Sequence, residues 1–375
     1  MSEIGIGLVG AGFMGRCHAI ALRTVAGVFE LPIRPVLEML ADIDADSAGR
    51  AARRLGFAHS TGDWRALVGD PRVGIVDIVA PNALHKPVAL AAIAAGKHVY
   101  CEKPLAPIAG EAALMVGAAE AAGVKTMVGF NYLKNPMTAL AREIVRSGEI
   151  GDVTGFRGIH AEDYMADPAA PFSWRLEGPG GAIADLGSHI IAMARFLVGP
   201  IVAVCGQVQT IIRRRPAAPG ARGKRAVEAD DQARVILGFA GGIGGTIEAS
   251  WVTTGRKMQL DYEITGTRGS LAFTQERMNE LHLYAPGQPV GREGYKTITA
   301  GPHHPPYGEF CPAPGHQLGF NDMKVIEVRD LLLGLSGGPP PWPDFREAWE
   351  VQRVVDAVIQ SSLEEQWMRV AAVGD

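Results

Sequence analysis

The run GGAIADLGSHIIAMARFLVG, residues 180–199, sets a carboxylate and an imidazole four positions apart in a largely apolar segment. Asp185 and His189 there would share one face of a helix, about one turn apart. Burying these two side chains is unfavourable unless they are paired or put to use. By itself the pair fits three chemistries: a satisfied core contact, two ligands of a metal ion, or an acid–base device that moves a proton.

A second cluster lies at the other end of the chain, where Gly10-Ala11-Gly12-Phe13-Met14-Gly15 follows a β-branched run directly and opens a helical one. In that setting each glycine has a task. Gly10 makes the tight turn, Gly12 lets backbone approach a pyrophosphate, and Gly15 lets helix and strand pack closely. The helix N-terminus then receives the phosphate charge. The run ADIDAD supplies the acidic residue such a site needs, Asp42, with Asp44 as substitute. A carboxylate at that place accepts hydrogen bonds from ribose hydroxyls and repels a 2′-phosphate, which selects NAD over NADP. Lys103, in HVYCEKP, reads alone as a solvated turn. At the end of a strand of the same sheet it becomes a candidate to stabilise an oxygen that gains negative charge, with Pro104 restricting the backbone beside it.

The elements that must position these residues fall into two patterns. Strands over Ile4–Val9, Val36–Ala41, Ile75–Ala80, His98–Cys101 and Thr126–Phe130 alternate with helices over Phe13–Val25, Ser47–Leu55, His85–Ala95 and Pro107–Ala122. Such alternation predicts a doubly wound parallel sheet, a Rossmann domain over residues 1–130. From 131 to 375 the pattern predicts an α+β domain. Successive strand-like runs with glycine turns (VTGFRGIH, IVAVCGQVQTII, ARVILGFA, GGTIEASWV, LDYEITG, GSLAFT) imply a large, open, mainly antiparallel sheet. Residues 286–317 read as a long loop and Phe345–Gln366 as a helix. The basic run RRRPAAPGARGKR, with six cations in thirteen residues, reads as a solvated hairpin. It lacks the interleaved aromatics on which bases stack.

Composition narrows the function classes. A length of 375 residues suits two domains, and a net charge of −4 gives no reason to expect nucleic acid or an acidic membrane as partner. Four scattered cysteines without a CxxC pair suit reduced thiols in the cytoplasm, not a disulfide framework or zinc site. The N-terminus enters a strand at once, without a signal peptide, and no apolar run approaches the roughly 20 residues of a membrane span. His303 and His304 have no third ligand at suitable spacing, so no metal is expected.

Taken together, GAGFMG, VDIVAPNALHKPVALAAIAAGKHVYCEKPLA, GFNYLKNP and the opening segment resemble the Gfo/Idh/MocA family of sugar and cyclitol dehydrogenases, over nearly the whole chain. The resemblance implies NAD as cofactor and a Lys103–Asp185–His189 constellation. His189 would be the general base, Lys103 the group that hydrogen-bonds the reacting oxygen, and Asp185 an orienter of the imidazole, a substrate contact, or both. It implies cofactor contacts from Phe13, Met14, Trp64, Pro81, Asn82 and His85, and further ones from Glu102, Lys103, Asn131, Trp174 and Arg175. It also implies a homo-oligomer, a tetramer or dimer, built through the open sheet. The family often has a second Asp three residues after the histidine; Ala192 stands there.

Within the family, AEDYMADPAAPFSWRLEGPGGAIADLGSH resembles enzymes of non-phosphorylated polyol rings. Tyr132, Glu162, Asp163, Tyr164 and Arg175 offer donors and acceptors for ring hydroxyls, and Trp174 or Tyr164 an aromatic cover. His316 resembles a histidine of the cyclitol and L-glucose enzymes that reaches a neighbouring subunit's site. The expectation is therefore oxidation of scyllo- or myo-inositol or L-glucose. Oxidation of levoglucosan, or of a glucoside at C3, stands as the alternative, and a catalytically silent dinucleotide-binding regulator as the non-enzyme reading.

Overall fold

Short β-branched runs can be covered on both faces only if helices return between them, and the first part of the chain does this five times. In the computed structural model, which describes residues 2–177 and 180–370, it runs β1 (Ser2–Val9), α1 (Phe13–Val28), β2 (Ile33–Ala41), α2 (Ala45–Leu55), β3 (His59–Thr61) and α3 (Trp64–Gly69). It continues through β4 (Val73–Ile78), α4 (His85–Ala94), β5 (His98–Cys101), α5 (Ala109–Ala122) and β6 (Thr126–Val128). The strands are all parallel in the order β3-β2-β1-β4-β5-β6, the doubly wound Rossmann arrangement. Ile6, Leu8, Val76, Ile78 and Val99 are fully buried, as the central strands of such a sheet require. Strand β2 starts earlier than Val36 because the Ile33-Arg34-Pro35 segment already pairs with β1.

The second pattern begins with α6 (Pro136–Arg146), β7 (Val153–Ala161) and α7 (Ser188–Leu197), followed by β8 (Ile201–Gln209), β9 (Arg214–Pro216) and β10 (Lys224–Ala226). Strands β11 (Gln232–Phe239), β12 (Gly244–Ser250), β13 (Gln259–Gly266), β14 (Ser270–Thr274), β15 (Glu280–Tyr284) and β16 (Lys296–Thr299) follow. The chain ends with α8 (Tyr307–Phe310), α9 (Phe320–Leu335), α10 (Phe345–Glu364) and β17 (Met368–Arg369). Nine strands form one sheet, β16-β15-β14-β13-β7-β12-β11-β8-β17, antiparallel except for the β7–β12 pair. Strand β11 shows why one face is open. Ala233, Val235, Leu237 and Phe239 are buried, while the alternating Arg234 and Ile236 are exposed. Helix α7 covers the other face; a side chain at Gly158 would meet Ile190 at 2.6 Å, so glycine is what lets the helix sit down on β7. The stretch 286–317, expected to be loop throughout, contributes β16 to the sheet edge and the short α8.

The chain divides into two compact units: residues 1–134 with 318–350, and 135–317 with 351–375. The sequence reading ends the first domain at residue 130. The structure divides after Lys134 and returns Leu318–Glu350 to the first unit, where α9 packs against α1. Among the described residues no helix is long and apolar enough to cross a membrane.

Candidate functional site

In the first unit, Gly10 has φ +105° and a Cβ there would lie 2.9 Å from the Val79 carbonyl oxygen, so only glycine makes the turn out of β1. A Cβ on Gly15 would lie 2.5 Å from the Gly10 oxygen. Gly12 differs: among the described residues nothing lies within 4 Å of where its Cβ would be, and no side chain caps the start of α1. An uncapped helix start behind an open glycine is the cradle a pyrophosphate needs. Asp44 is taken up as the N-cap of α2, accepting from the Ser47 amide at 2.7 Å and its hydroxyl at 3.0 Å. Asp42, at the end of β2, caps no helix, and its Oδ1 accepts from the neighbouring Ile43 amide at 2.8 Å. Asn131, just after β6, is 2% exposed, and its Nδ2 has no hydrogen-bond partner among the described residues. An orphaned buried donor, a bare helix start and a β2 carboxylate together fit a dinucleotide. Phe13 is 70% exposed and stacks on Phe320 at 5.9 Å, and Phe320 also contacts Tyr132 at 6.0 Å. Trp64 opens α3 with Arg65 over its ring, and Pro81 and Asn82 start the turn into α4.

Two residues expected at the cofactor also bond within the protein. Glu102 is 5% exposed, and its carboxylate bonds His18 Nε2 at 2.9 Å, Lys324 Nζ at 2.6 Å and the Lys103 amide at 3.1 Å. His85 is buried with both ring nitrogens on backbone carbonyls, those of Pro104 (2.8 Å) and Ala80 (2.9 Å), and burial pushes its pKa down. Both side chains grip the loop that carries Lys103, which is half-buried and precedes a cis-proline. Glu102 belongs to a buried charge cluster. His18 Nδ1 meets Asp77 at 2.9 Å; Lys324 also bonds Glu327 at 2.7 Å and the Tyr100 hydroxyl at 3.2 Å; and Tyr100 donates to Glu327 at 2.5 Å. Burial pulls the His18 pKa down, but the charge of Asp77 and the bonds to Asp77 and Glu102 outweigh it and raise it above the ordinary histidine value. Burial by itself would raise Glu102, but the Lys324 charge and the His18 contact hold it far below the carboxylate range. A Cβ on Gly129 would lie 2.4 Å from Glu102 Oε1, so glycine is required for the cluster to close.

In the second unit, Asp185 and His189 do not share a regular α-helix. Asp185 sits in a π-helical turn, Ile183–Gly187, that runs into α7, where His189 is the second residue and 6% exposed. Such turns widen the helix locally and re-aim side chains. Asp185 Oδ2 accepts from the Tyr164 hydroxyl at 2.7 Å and pairs with Arg175 Nε at 3.5 Å. Tyr164 is 42% exposed; desolvation and the Asp185 charge raise the phenol well above 10, so it stays a donor. Arg175 also lies over the Trp174 ring, at 4.3 Å. The His160 ring stands 5.5 Å from that of His189 and bonds Glu162 at 3.2 Å. Asp163, expected among the ring-hydroxyl contacts, is engaged elsewhere, with Lys257 at 2.6 Å and the Gly255 amide at 3.0 Å. His316 is exposed on the loop after α8, where its carbonyl accepts from the Tyr307 hydroxyl. The basic run forms the β9–β10 hairpin, but Arg215 within it is fully buried rather than solvated.

A dinucleotide-binding Rossmann sheet joined to an open nine-stranded sheet defines a class of two-domain oxidoreductase. The chain belongs to the GFO/IDH/MocA family. Residues 4–130 match its oxidoreductase domain with NAD-binding Rossmann fold, and residues 138–272 match a GFO/IDH/MocA C-terminal domain. NAD is accordingly the cofactor of the Rossmann domain. Levoglucosan dehydrogenase of Pseudarthrobacter phenanthrenivorans is 37% identical, with all of both chains covered. Inositol 2-dehydrogenase of Acidothermus cellulolyticus is 28% identical over 92% of this chain and 89% of the relative. Among solved structures, levoglucosan dehydrogenase in complex with NADH and levoglucosan has a TM-score of 0.95 at 38% identity, covering 99% of this chain and 100% of that one.

Proposed function

We propose that this protein is an NAD-dependent dehydrogenase that oxidises a secondary hydroxyl of levoglucosan, or of a closely related non-phosphorylated sugar, to the ketone. The observation that carries the reading is the end-to-end correspondence with levoglucosan dehydrogenase, 37% identical over the whole of both chains, against 28% for inositol 2-dehydrogenase. The cyclitol preference expected from His316 gives way to it, since that expectation rests on one exposed loop residue.

Oxidising a secondary alcohol parts a hydride, which bound NAD accepts at its nicotinamide, from a proton, which the protein must take. In the proposed mechanism His189 takes that proton, as an imidazole suited to transfer near neutral pH. Lys103 donates to the same oxygen and stabilises its developing negative charge. The backbone beneath Lys103 is fixed by Glu102 and His85, so its ammonium starts from a defined position. Asp185, oriented by Tyr164 and Arg175, accepts from a neighbouring ring hydroxyl. Oligomerisation through the open sheet face, where Ile236 is 49% exposed, completes the proposal, and light scattering on the purified protein tests it.

The deciding experiment is a substrate panel (levoglucosan, methyl glucosides, D- and L-glucose, scyllo- and myo-inositol) assayed with NAD and with NADP. Levoglucosan is expected to give the highest kcat/KM. A highest value for scyllo-inositol would restore the cyclitol reading, and no turnover with any member would favour the silent regulator. If NADP serves as well as NAD, the role given to Asp42 is wrong.

A further inference from the structure

Two adjacent aspartates stand just before β11, Asp230 and Asp231, at 5% and 0% exposure, and the chemistry above uses neither. Asp230 grips the start of the π-helical turn. Its Oδ1 accepts from the Gly181 amide at 2.7 Å, its Oδ2 from Ile183 at 2.9 Å, and its carbonyl from Ala182 at 2.9 Å. Three consecutive amides are therefore fixed by one residue, two positions before Asp185. Asp231 reaches the segment around Tyr164, upstream of that turn, through intermediaries. Its Oδ2 accepts from the Ile211 and Ile212 amides, both at 2.7 Å, which fixes the chain leading into the basic hairpin. Its Oδ1 accepts from Trp251 Nε1 at 2.7 Å and lies 3.9 Å from Arg215. Arg215, fully buried, donates onward to the carbonyls of Met165 (2.6 Å) and Asp167 (2.8 Å), while Trp251 meets the Tyr164 ring edge-on at 6.1 Å.

We propose that Asp230, Asp231 and Arg215 form a buried clamp that positions Tyr164 and Asp185 for a sugar hydroxyl and thereby sets sugar affinity. The inference rests on the reading that Asp185 contacts the substrate. All three are positioning residues, acting through the backbone just after Tyr164 and just before Asp185. A packed apolar cluster would fill the same space without stranding charges away from water. What the charged groups add is direction: four backbone amides and two carbonyls are each held by a named side-chain atom. The basic run thus has a part in recognition that its composition conceals, since the cation that matters is the one turned inward.

The test uses the full-length protein with Arg215→Lys, Asp230→Asn, Tyr164→Phe and the Arg215→Lys/Tyr164→Phe double variant. Kinetics use whichever panel sugar gives the parent its highest kcat/KM, so the outcome does not depend on levoglucosan being the substrate. Arg215→Lys and Asp230→Asn are each expected to raise the sugar KM about five- to twentyfold, with the KM for NAD unchanged. The double variant is expected to be little worse than Tyr164→Phe alone, because the two residues act along one chain of contacts. Hydrogen exchange is expected to speed up within 163–177 for Arg215→Lys and within 181–187 for Asp230→Asn. An unchanged sugar KM beside faster exchange would reduce the clamp to a structural support and overturn the proposal. Unchanged exchange would overturn the clamp itself. Should no sugar turn over at all, the functional reading fails, and exchange alone decides whether the clamp exists.

Discussion

Replacing Lys324 by methionine keeps an unbranched apolar stem and deletes the ammonium, with its charge and its donors. Lys324 is fully buried, and the substitution removes its bonds to Glu102 (2.6 Å), Glu327 (2.7 Å) and the Tyr100 hydroxyl (3.2 Å). Two buried carboxylates lose their shared cation, with His18 left beside Glu102. Removing one partner of a buried ion pair costs about 3–5 kcal/mol. Domains of roughly 150–250 residues lose about 2–4 °C of Tm per kcal/mol. The variant is expected to melt about 6–20 °C below the parent by circular dichroism. The pH dependence supplies a second reading. Burial raises the Glu102 pKa, and the Lys324 charge is the largest influence opposing it. Without that charge the folded-state pKa rises toward the unfolded one, so the stability that the ionised carboxylate brings above the unfolded value shrinks. The Tm deficit should therefore be wider at about pH 7 than at about pH 4. Adding Glu327→Gln should recover part of the loss by removing one stranded carboxylate. A variant that melts within about 2 °C of the parent at both pH values, well inside the shift expected for a broken buried pair, would refute the assignment of Lys324 as the cluster's counter-charge.

Other expectations concern the same two units. Gly129→Ala places a methyl 2.4 Å from Glu102 Oε1 and should cost about 1–3 kcal/mol, read as a lower urea midpoint with unchanged slope. Burial pushes Asp230 up to about 6 despite its backbone bonds, so the stability linked to its protonation is present at low pH and lost as pH rises through about 6. Between pH 4.5 and 7.5 the parent should lose on the order of 2 kcal/mol that Asp230→Asn does not lose, measured by urea unfolding across that range. Lys103→Met should lower kcat about 10²–10³-fold while NADH fluorescence titration shows cofactor binding retained; equal turnover would remove Lys103 from the chemistry.

Much of the cofactor half is legible in the sequence because its signals are local. GAGFMG, a following helix and an acidic residue at the end of the next strand are separated by short stretches of chain, and backbone sterics fix what each must do. The choice between Asp42 and Asp44 needed the structure, since both precede a helix and only its start shows which one caps it. The buried charges were not legible. In FNDMKVIEVRDLL, Lys324 and Glu327 look like an ordinary exposed i,i+3 pair, and EADDQ looks like a solvated turn. What buries them is contact with residues far away in sequence, and no periodicity carries that information. The π-helical turn escapes for a related reason: a single widened turn leaves the hydrophobic pattern of IADLGSHIIAMARFL almost unchanged.

The return of residues 318–350 to the first unit matters during synthesis as well as in the finished fold. Glu102 is made 222 residues before Lys324, the cation it binds. At about 5–20 residues per second that interval is roughly 10–45 s. Throughout it the nascent Rossmann sheet lacks both helix α9 and the counter-charge for its buried acids. Residues 135–317 leave the ribosome before α9 does, so the domain that starts the chain cannot finish folding until most of the second unit has been made.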